Sequence, residues 1–99
     1  MPKVYSVVSY RSISDPEKLA AYAALAGPAM VEAGGRFIAR GMPAAVLEQG
    51  LNERVVIKEF DSIEAALASY ETPAYKKALE ALGDGAVRDI RIIPAVEAD

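Results

Sequence analysis

Two strand–helix–strand patterns follow each other in this chain of 99 residues, and their order restricts the possible folds more than any other feature. The run 3–10 alternates at period two and predicts the first strand. An Asp-Pro pair at 15–16 predicts the start of a helix, since Asp caps the free amides and Pro fits the first turn. A Gly-Gly pair at 34–35 predicts the end of that helix, and the segment 36–41 predicts the second strand.

The second pattern begins at 54–60, whose β-branched residues predict a central strand. A second helix follows, and the segment 86–96 predicts the last strand, with Pro94 near a sheet edge. The chain therefore reads β-α-β-β-α-β, an α+β fold with an antiparallel sheet, built as a single domain over 1–99. Two helices cover only one face of such a sheet, so we expect the other face to pack against a second copy in a homodimer.

Proline and turn residues predict interruptions within these elements. Pro28 predicts a kink or restart of the first helix, because its ring crowds the preceding turn and it cannot donate a hydrogen bond. Asp61 and Glu64 approximate a capping box for the second helix, and the pair at 72–73 predicts that this helix is broken in two. The segment 44–49 either continues the second strand through a bulge or forms a short strand of its own.

Composition excludes several classes of function. The chain has no Cys and no His, which excludes disulfides, thiolate nucleophiles, Ser-His triads and the usual ligands of zinc and haem iron. The net charge is −3 and basic residues do not cluster, so we expect no nucleic-acid partner. No stretch is long and apolar enough for a membrane span and none reads as a signal peptide, which predicts a cytoplasmic protein without membrane contact.

Motifs along nearly the whole chain resemble one family. They are DP at 15–16, GGRFIARG at 34–41, VLEQG at 46–50, ERVVIKEF at 53–60, S-x-E-A-A at 62–66 and TPAY at 72–75. In this combination the chain resembles the domain-of-unknown-function family thirteen-thirty, of the dimeric α+β barrel superfamily. The resemblance implies a ferredoxin-like subunit that forms a dimeric α+β barrel. It implies no reaction, because that superfamily includes cofactor-free monooxygenases, isomerases and haem-handling proteins.

Two arginines and two carboxylates are the charged candidates for a site. Arg36 and Arg40 share one side of a regular strand, where two guanidinium groups could hold a carboxylate or phosphate, or could instead be solvated or bond across the dimer. Glu59 shares one side of its strand with Val55 and Ile57, which predicts an apolar setting, a raised pKa and a role as general base. The alternatives for Glu59 are an ion pair with one of these arginines or exposure at the strand end. Glu48 is likewise either a general base or a carboxylate that is paired or exposed.

Tyr22 lies on the apolar stripe of the first helix, so its hydroxyl either donates to a substrate oxygen or is a satisfied core group. No residue pattern indicates a metal site, and we expect no cofactor. The leading hypothesis is a small-molecule site between sheet and helices that binds or transforms an anionic or carbonyl-bearing metabolite. The alternative is a dimeric structural or accessory module without catalysis.

Overall fold

The structure, a computed structural model, describes residues 3–96. Its elements are β1 (Val4–Ile13), α1 (Pro16–Glu32), β2 (Arg36–Gly41), β3 (Val55–Phe60), α2 (Ile63–Ser69), α3 (Pro73–Leu82) and β4 (Ala86–Pro94). The four strands form one antiparallel sheet in the order β2-β3-β1-β4. This arrangement confirms the α+β, ferredoxin-like prediction, with β3 inside the sheet, β4 at an edge and the second helix divided into α2 and α3.

The ends of α1 form as the sequence predicts. The side chain of Asp15 accepts hydrogen bonds from the amides of Glu17 and Lys18. At the other end Gly34 has φ +97°, and the amide of Gly35 donates to the Met30 carbonyl at 2.9 Å, which is the pattern of a Schellman motif. Gly35 is also needed for space, since a Cβ there would lie 2.9 Å from the ring of Phe60.

Two local predictions need correction, and a third is narrowed. α1 continues through Pro28 as one helix and does not restart there, because buried residues on both sides of the proline, among them Ala26 and Met30, anchor both halves to the same core. The segment 44–49 is not a strand but part of a loop that joins β2 to β3. The cap of α2 is Ser62, which accepts from the Ala65 amide, and not Asp61.

The sheet has two different faces. The helix-side face is covered by the helices, and its residues on β1 and β3 are buried: Val4, Ser6, Val8, Tyr10, Val56, Lys58 and Phe60. The open face carries the alternate residues of the same strands, all partly exposed: Tyr5, Val7, Ser9, Val55, Ile57 and Glu59. Within residues 3–96, no helix is long and apolar enough to cross a membrane.

A bulge in β2 changes which face its residues occupy. Arg36 pairs with Glu59 and Phe37 with Lys58, but the register shifts at the next residue, so that Arg40 pairs with Val56. One extra residue in a strand reverses the alternation beyond it. Arg36 therefore belongs to the open face and Arg40 to the helix-side face, and the prediction that both share one side is wrong.

Candidate functional site

A cavity of about 50 Å³ lies between α1 and the helix-side face of the sheet. Its apolar lining is Val8, Leu19, Ala23, Ala26, Gly27, Met30, Phe37 and Val56. Its polar lining consists of three cations and two phenols: Arg40, Arg54, Lys58, Tyr10 and Tyr22. None of these lining residues is acidic, although the chain as a whole carries a net charge of −3. The cavity is therefore an isolated positive region in an acidic protein.

Lys58 is the most deeply buried of these cations. Its residue is 3% exposed, and its Nζ lies 5.1 Å from the centroid of the Tyr70 ring. Burial, and next to it the charge of Arg88, lower the pKa of the Lys58 amine to about 8. Lys58 forms no ion pair within residues 3–96. A buried amine without a carboxylate is unusual, because a buried charge is normally paired.

A phenol network supports the cavity wall. The hydroxyls of Tyr22 and Tyr75 lie 2.9 Å apart, and Nη1 of Arg88 donates to the Tyr22 hydroxyl at 2.8 Å. Tyr70 forms a hydrogen bond with Ser6 on β1. Burial raises the pKa of Tyr22, and Tyr75 adds to this effect while Arg88 opposes it. Tyr22 therefore stays protonated at neutral pH and can donate to a ligand when Tyr75 donates to it.

Of the predicted site residues, Tyr22 and Arg40 lie in the cavity and the other three do not. The guanidinium of Arg40 stacks 4.3 Å from the centroid of the Phe37 ring, and no carboxylate of the described chain pairs with it. Glu48 lies in an exposed turn with φ 51°, within the loop after β2. The placement of Glu48 on a strand is therefore wrong, because that segment does not join the sheet.

Arg36 and Glu59 meet on the open face. Nε of Arg36 donates to Glu59 at 2.9 Å and its Nη2 donates to Asp61 at 2.9 Å, while Lys3 lies 3.4 Å from Glu59. The hydrogen bond from Arg36 is the main reason that the pKa of Glu59 is lowered. The expectation of a Glu59 carboxyl with raised pKa in the cleft is wrong, and the alternative of an ion pair with Arg36 describes its position.

Sequence reasoning missed Lys58 and Arg88. In β3 the residues Val56, Lys58 and Phe60 alternate with Val55, Ile57 and Glu59, so both faces of the strand are equally apolar apart from one charge each. Period two separates these sets but does not say which one the helices cover. Arg88 shares its side of β4 with Ile90 and Ile92, and the same ambiguity applies to it.

Metal coordination has no support in this region. Within residues 3–96, no three acidic side chains come together in a group that could hold a metal ion. The polar groups of the cavity are donors or cations, which suits an anionic ligand.

Comparison with protein families identifies one match. The family model described as Domain of unknown function (DUF1330) matches residues 3–96, and the resemblance drawn from the motifs is thereby confirmed. None of the curated proteins matches the sequence.

Solved structures share the fold at low identity. The RPA0582 protein of unknown function from Rhodopseudomonas palustris is 21% identical with a TM-score of 0.72, over 99% of this chain and 84% of that one. SnoaB from Streptomyces nogalater, a cofactor-independent oxygenase, is 14% identical with a TM-score of 0.67, over 99% and 97% of the two chains. A dimeric ferredoxin-like protein of unknown function from Thermobifida fusca is 14% identical with a TM-score of 0.66, over 95% and 92%.

Proposed function

We propose that this chain, which belongs to the DUF1330 family, binds a small anionic, carbonyl-bearing metabolite in the cavity between α1 and the sheet, without a cofactor. The observation that carries the proposal is the lining itself, which combines Arg40, Arg54 and Lys58 with two phenols and contains no carboxylate. Cations without carboxylate partners beside an apolar wall attract an anion, and water screens Lys58 least because that residue is only 3% exposed.

The volume of the cavity limits the ligand. About 50 Å³ is far below the several hundred cubic ångströms or so that a drug-sized ligand fills. The enclosed space therefore suits a head group such as a carboxylate with an adjacent carbonyl, and any longer part of the ligand lies at the mouth. In this arrangement Arg40 holds the carboxylate, and Lys58 and the Tyr22 hydroxyl donate to the carbonyl oxygen.

The first test is thermal stabilisation by acetate, lactate, pyruvate and glyoxylate, each compared with its neutral amide. A ligand that binds only the folded state raises the apparent stability of that state. We expect the acids to raise Tm in a saturable way and the amides to leave it unchanged. Equal effects of acids and amides, or no effect of either, would favour the accessory module without a ligand site.

Two arginines of β2 supply a matched pair of variants. Arg40→Met removes a cation of the cavity, whereas Arg36→Met removes a cation of the open face. A hydrogen bond to a charged group contributes about 1.5–3 kcal/mol, so we expect Arg40→Met to raise the Kd for pyruvate about tenfold or more. Arg36→Met leaves the Kd within about twofold of wild type. Equal losses in both variants would contradict the proposed site.

The proposal includes a homodimer formed through the open face. Apolar side chains there remain partly exposed, among them Tyr5, Val7 and Ile57, and Ile93 on β4 is 55% exposed. A contiguous apolar sheet face is typical of an interaction surface. The Thermobifida fusca protein of the same fold is described as dimeric, which supports the pairing of two such sheets.

A further inference from the structure

Lys58 is buried more deeply than the binding of an anion alone requires. Its amine is buried on the helix-side face between Val56 and Phe60, yet the residue forms part of the cavity wall. Folding a lysine into this position costs free energy unless a carboxylate or a ligand compensates. A surface arginine would bind an anion at less cost, so the buried amine points to a chemical role.

Burial and the neighbouring cation Arg88 favour the neutral form of Lys58, while the face of the Tyr70 ring favours the ammonium form. Arg40 on β2, Arg54 before β3 and Arg88 on β4 are cations on the same side of the sheet, while Tyr22 on α1 and Tyr70 after α2 present phenols. Burial and the charge of Arg88 lower the pKa of the amine to about 8. About a tenth of the protein therefore carries a neutral Lys58 at pH 7, against less than a thousandth for an ordinary lysine. A desolvated amine beside another cation is activated as a nucleophile.

We infer that Lys58 forms an imine with the carbonyl carbon of a small 2-oxo acid whose carboxylate is held by Arg40. This inference rests on the proposed function, because it places the carbonyl of the same ligand beside the amine. 2-Oxo acids are the smallest compounds that carry both groups on neighbouring carbons, in keeping with the small cavity.

The step is balanced without an oxidant or reductant. The lone pair of the neutral Nζ attacks the carbonyl carbon, the C=O π pair moves to oxygen, and a proton passes from nitrogen to that oxygen to give a carbinolamine. The hydroxyl then leaves as water with the second proton of nitrogen, and the nitrogen lone pair forms the C=N bond. One amine and one carbonyl become one imine and one water.

The experiment is reductive trapping with pyruvate and sodium cyanoborohydride at neutral pH, followed by peptide mapping by mass spectrometry. Pyruvate is the probe, and cyanoborohydride converts the imine to a stable carboxyethyl-lysine. Lys77 on α3 is an exposed lysine and serves as the control within the same protein. We expect Lys58 to be labelled at least tenfold faster than Lys77. Equal labelling of the two, or faster labelling of Lys77, overturns the inference.

Variants extend the test. Lys58→Met abolishes the fast label, while Lys77→Met keeps it. The comparison of Lys58 with Lys77 in the wild-type protein does not depend on whether Lys58→Met folds. Persistence of a fast label in a folded Lys58→Met protein would show that another amine is responsible.

Failure of the imine and failure of the binding site give different results. Lactate carries the carboxylate but no carbonyl, so it tests binding without covalent chemistry. Stabilisation by lactate and pyruvate that is weakened by Arg40→Met, without trapping at Lys58, overturns the imine and leaves the binding site standing. No stabilisation by either acid together with no trapping overturns both.

Discussion

The cations on the two faces of the sheet differ in whether they have carboxylate partners. On the open face the cations have carboxylate partners: Arg36 pairs with Glu59 and Asp61, and Asp89 pairs with both Arg11 and Arg91. On the helix-side face Lys58, Arg40 and Arg88 have none within residues 3–96. Arg88 is satisfied by phenols instead.

Under the proposed function, this difference separates charges that stabilise the fold from charges that bind a ligand. Ion pairs on a partly exposed face form readily, and each contributes little to the free energy of unfolding. Lys58 is buried without a carboxylate, which lowers the stability of the fold, and the proposed anionic ligand would compensate for this cost. Under the proposed function, the helix-side face is therefore the place where stability and function oppose each other.

The largest expected difference between the faces concerns their apolar residues. Phe60→Ala removes a ring that is fully buried on the helix-side face and should lower the free energy of unfolding by about 3–5 kcal/mol. At a protein concentration low enough to keep the subunits monomeric, Ile57→Ala, on the open face of the same strand, should cost less than about half as much, because its side chain is partly exposed in the single subunit. Urea unfolding at matched protein concentration measures both. Equal costs would mean that the two faces are equally buried in solution.

The next largest effect concerns Lys58, where removal of a charge should stabilise the fold. At pH 7 Lys58→Met should raise the free energy of unfolding by roughly 1–3 kcal/mol, because the cost of the buried ammonium is larger than its attraction to the Tyr70 ring, which is lost as well. The folded pKa is about 8 and the ordinary value is 10.5, so the unfolded chain binds more protons between them. Wild-type stability therefore rises over this interval.

Measurements of stability as a function of pH test the direction of this change. The advantage of Lys58→Met is full below about pH 8 and shrinks as the pH approaches the ordinary value, because the wild-type amine is then neutral in both states. Urea unfolding of both proteins across this range measures the change. A constant difference at all pH values would contradict a buried, titrating amine.

Association of the open faces should respond to a single charge. Val7→Asp places a carboxylate among the apolar residues of the open face and should raise the dimer dissociation constant about tenfold or more. Light scattering coupled to gel filtration measures the shift toward monomer. Val31→Asp is the matched control, since Val31 is an exposed valine on α1, away from the sheet. A wild-type protein that is already monomeric would refute the homodimer.

The smallest effect should come from Glu59. Glu59→Gln breaks its ion pairs with Arg36 and Lys3 but leaves an uncharged side chain at a partly exposed position, so the loss of stability at pH 7 is slight. The folded pKa of Glu59 is lowered, and its contribution is therefore present above the ordinary carboxyl pKa and lost as the pH falls. The two proteins should converge in stability in acid. A pyruvate Kd that changes strongly would place Glu59 at the site after all.

Sequence predicted the elements well because their signals are local. The Asp15 cap, the Gly-Gly end of α1 and the Thr-Pro start of α3 each act within one turn of helix, and all three form as predicted. The site was predicted only in part, because membership of a face depends on pairing across the whole sheet. Glu59 and Lys58 are neighbours with equally apolar surroundings in sequence, and only the packing of the helices decides between them.

The bulge at Ile38 has a consequence for comparing this chain with its relatives. In a regular strand, two residues separated by an even number of positions have side chains on the same face. The extra residue Ile38 breaks this rule, so that Arg36 and Arg40 lie on opposite faces although they are four positions apart. Deletion of Ile38 would restore a regular strand and leave Arg40 opposite Val56, on the cavity side, because three positions would then separate it from Arg36. In a relative without the bulge, the residue equivalent to Arg40 is therefore found only if the alignment places a gap at Ile38, and an ungapped alignment matches Arg40 with a residue of the opposite face.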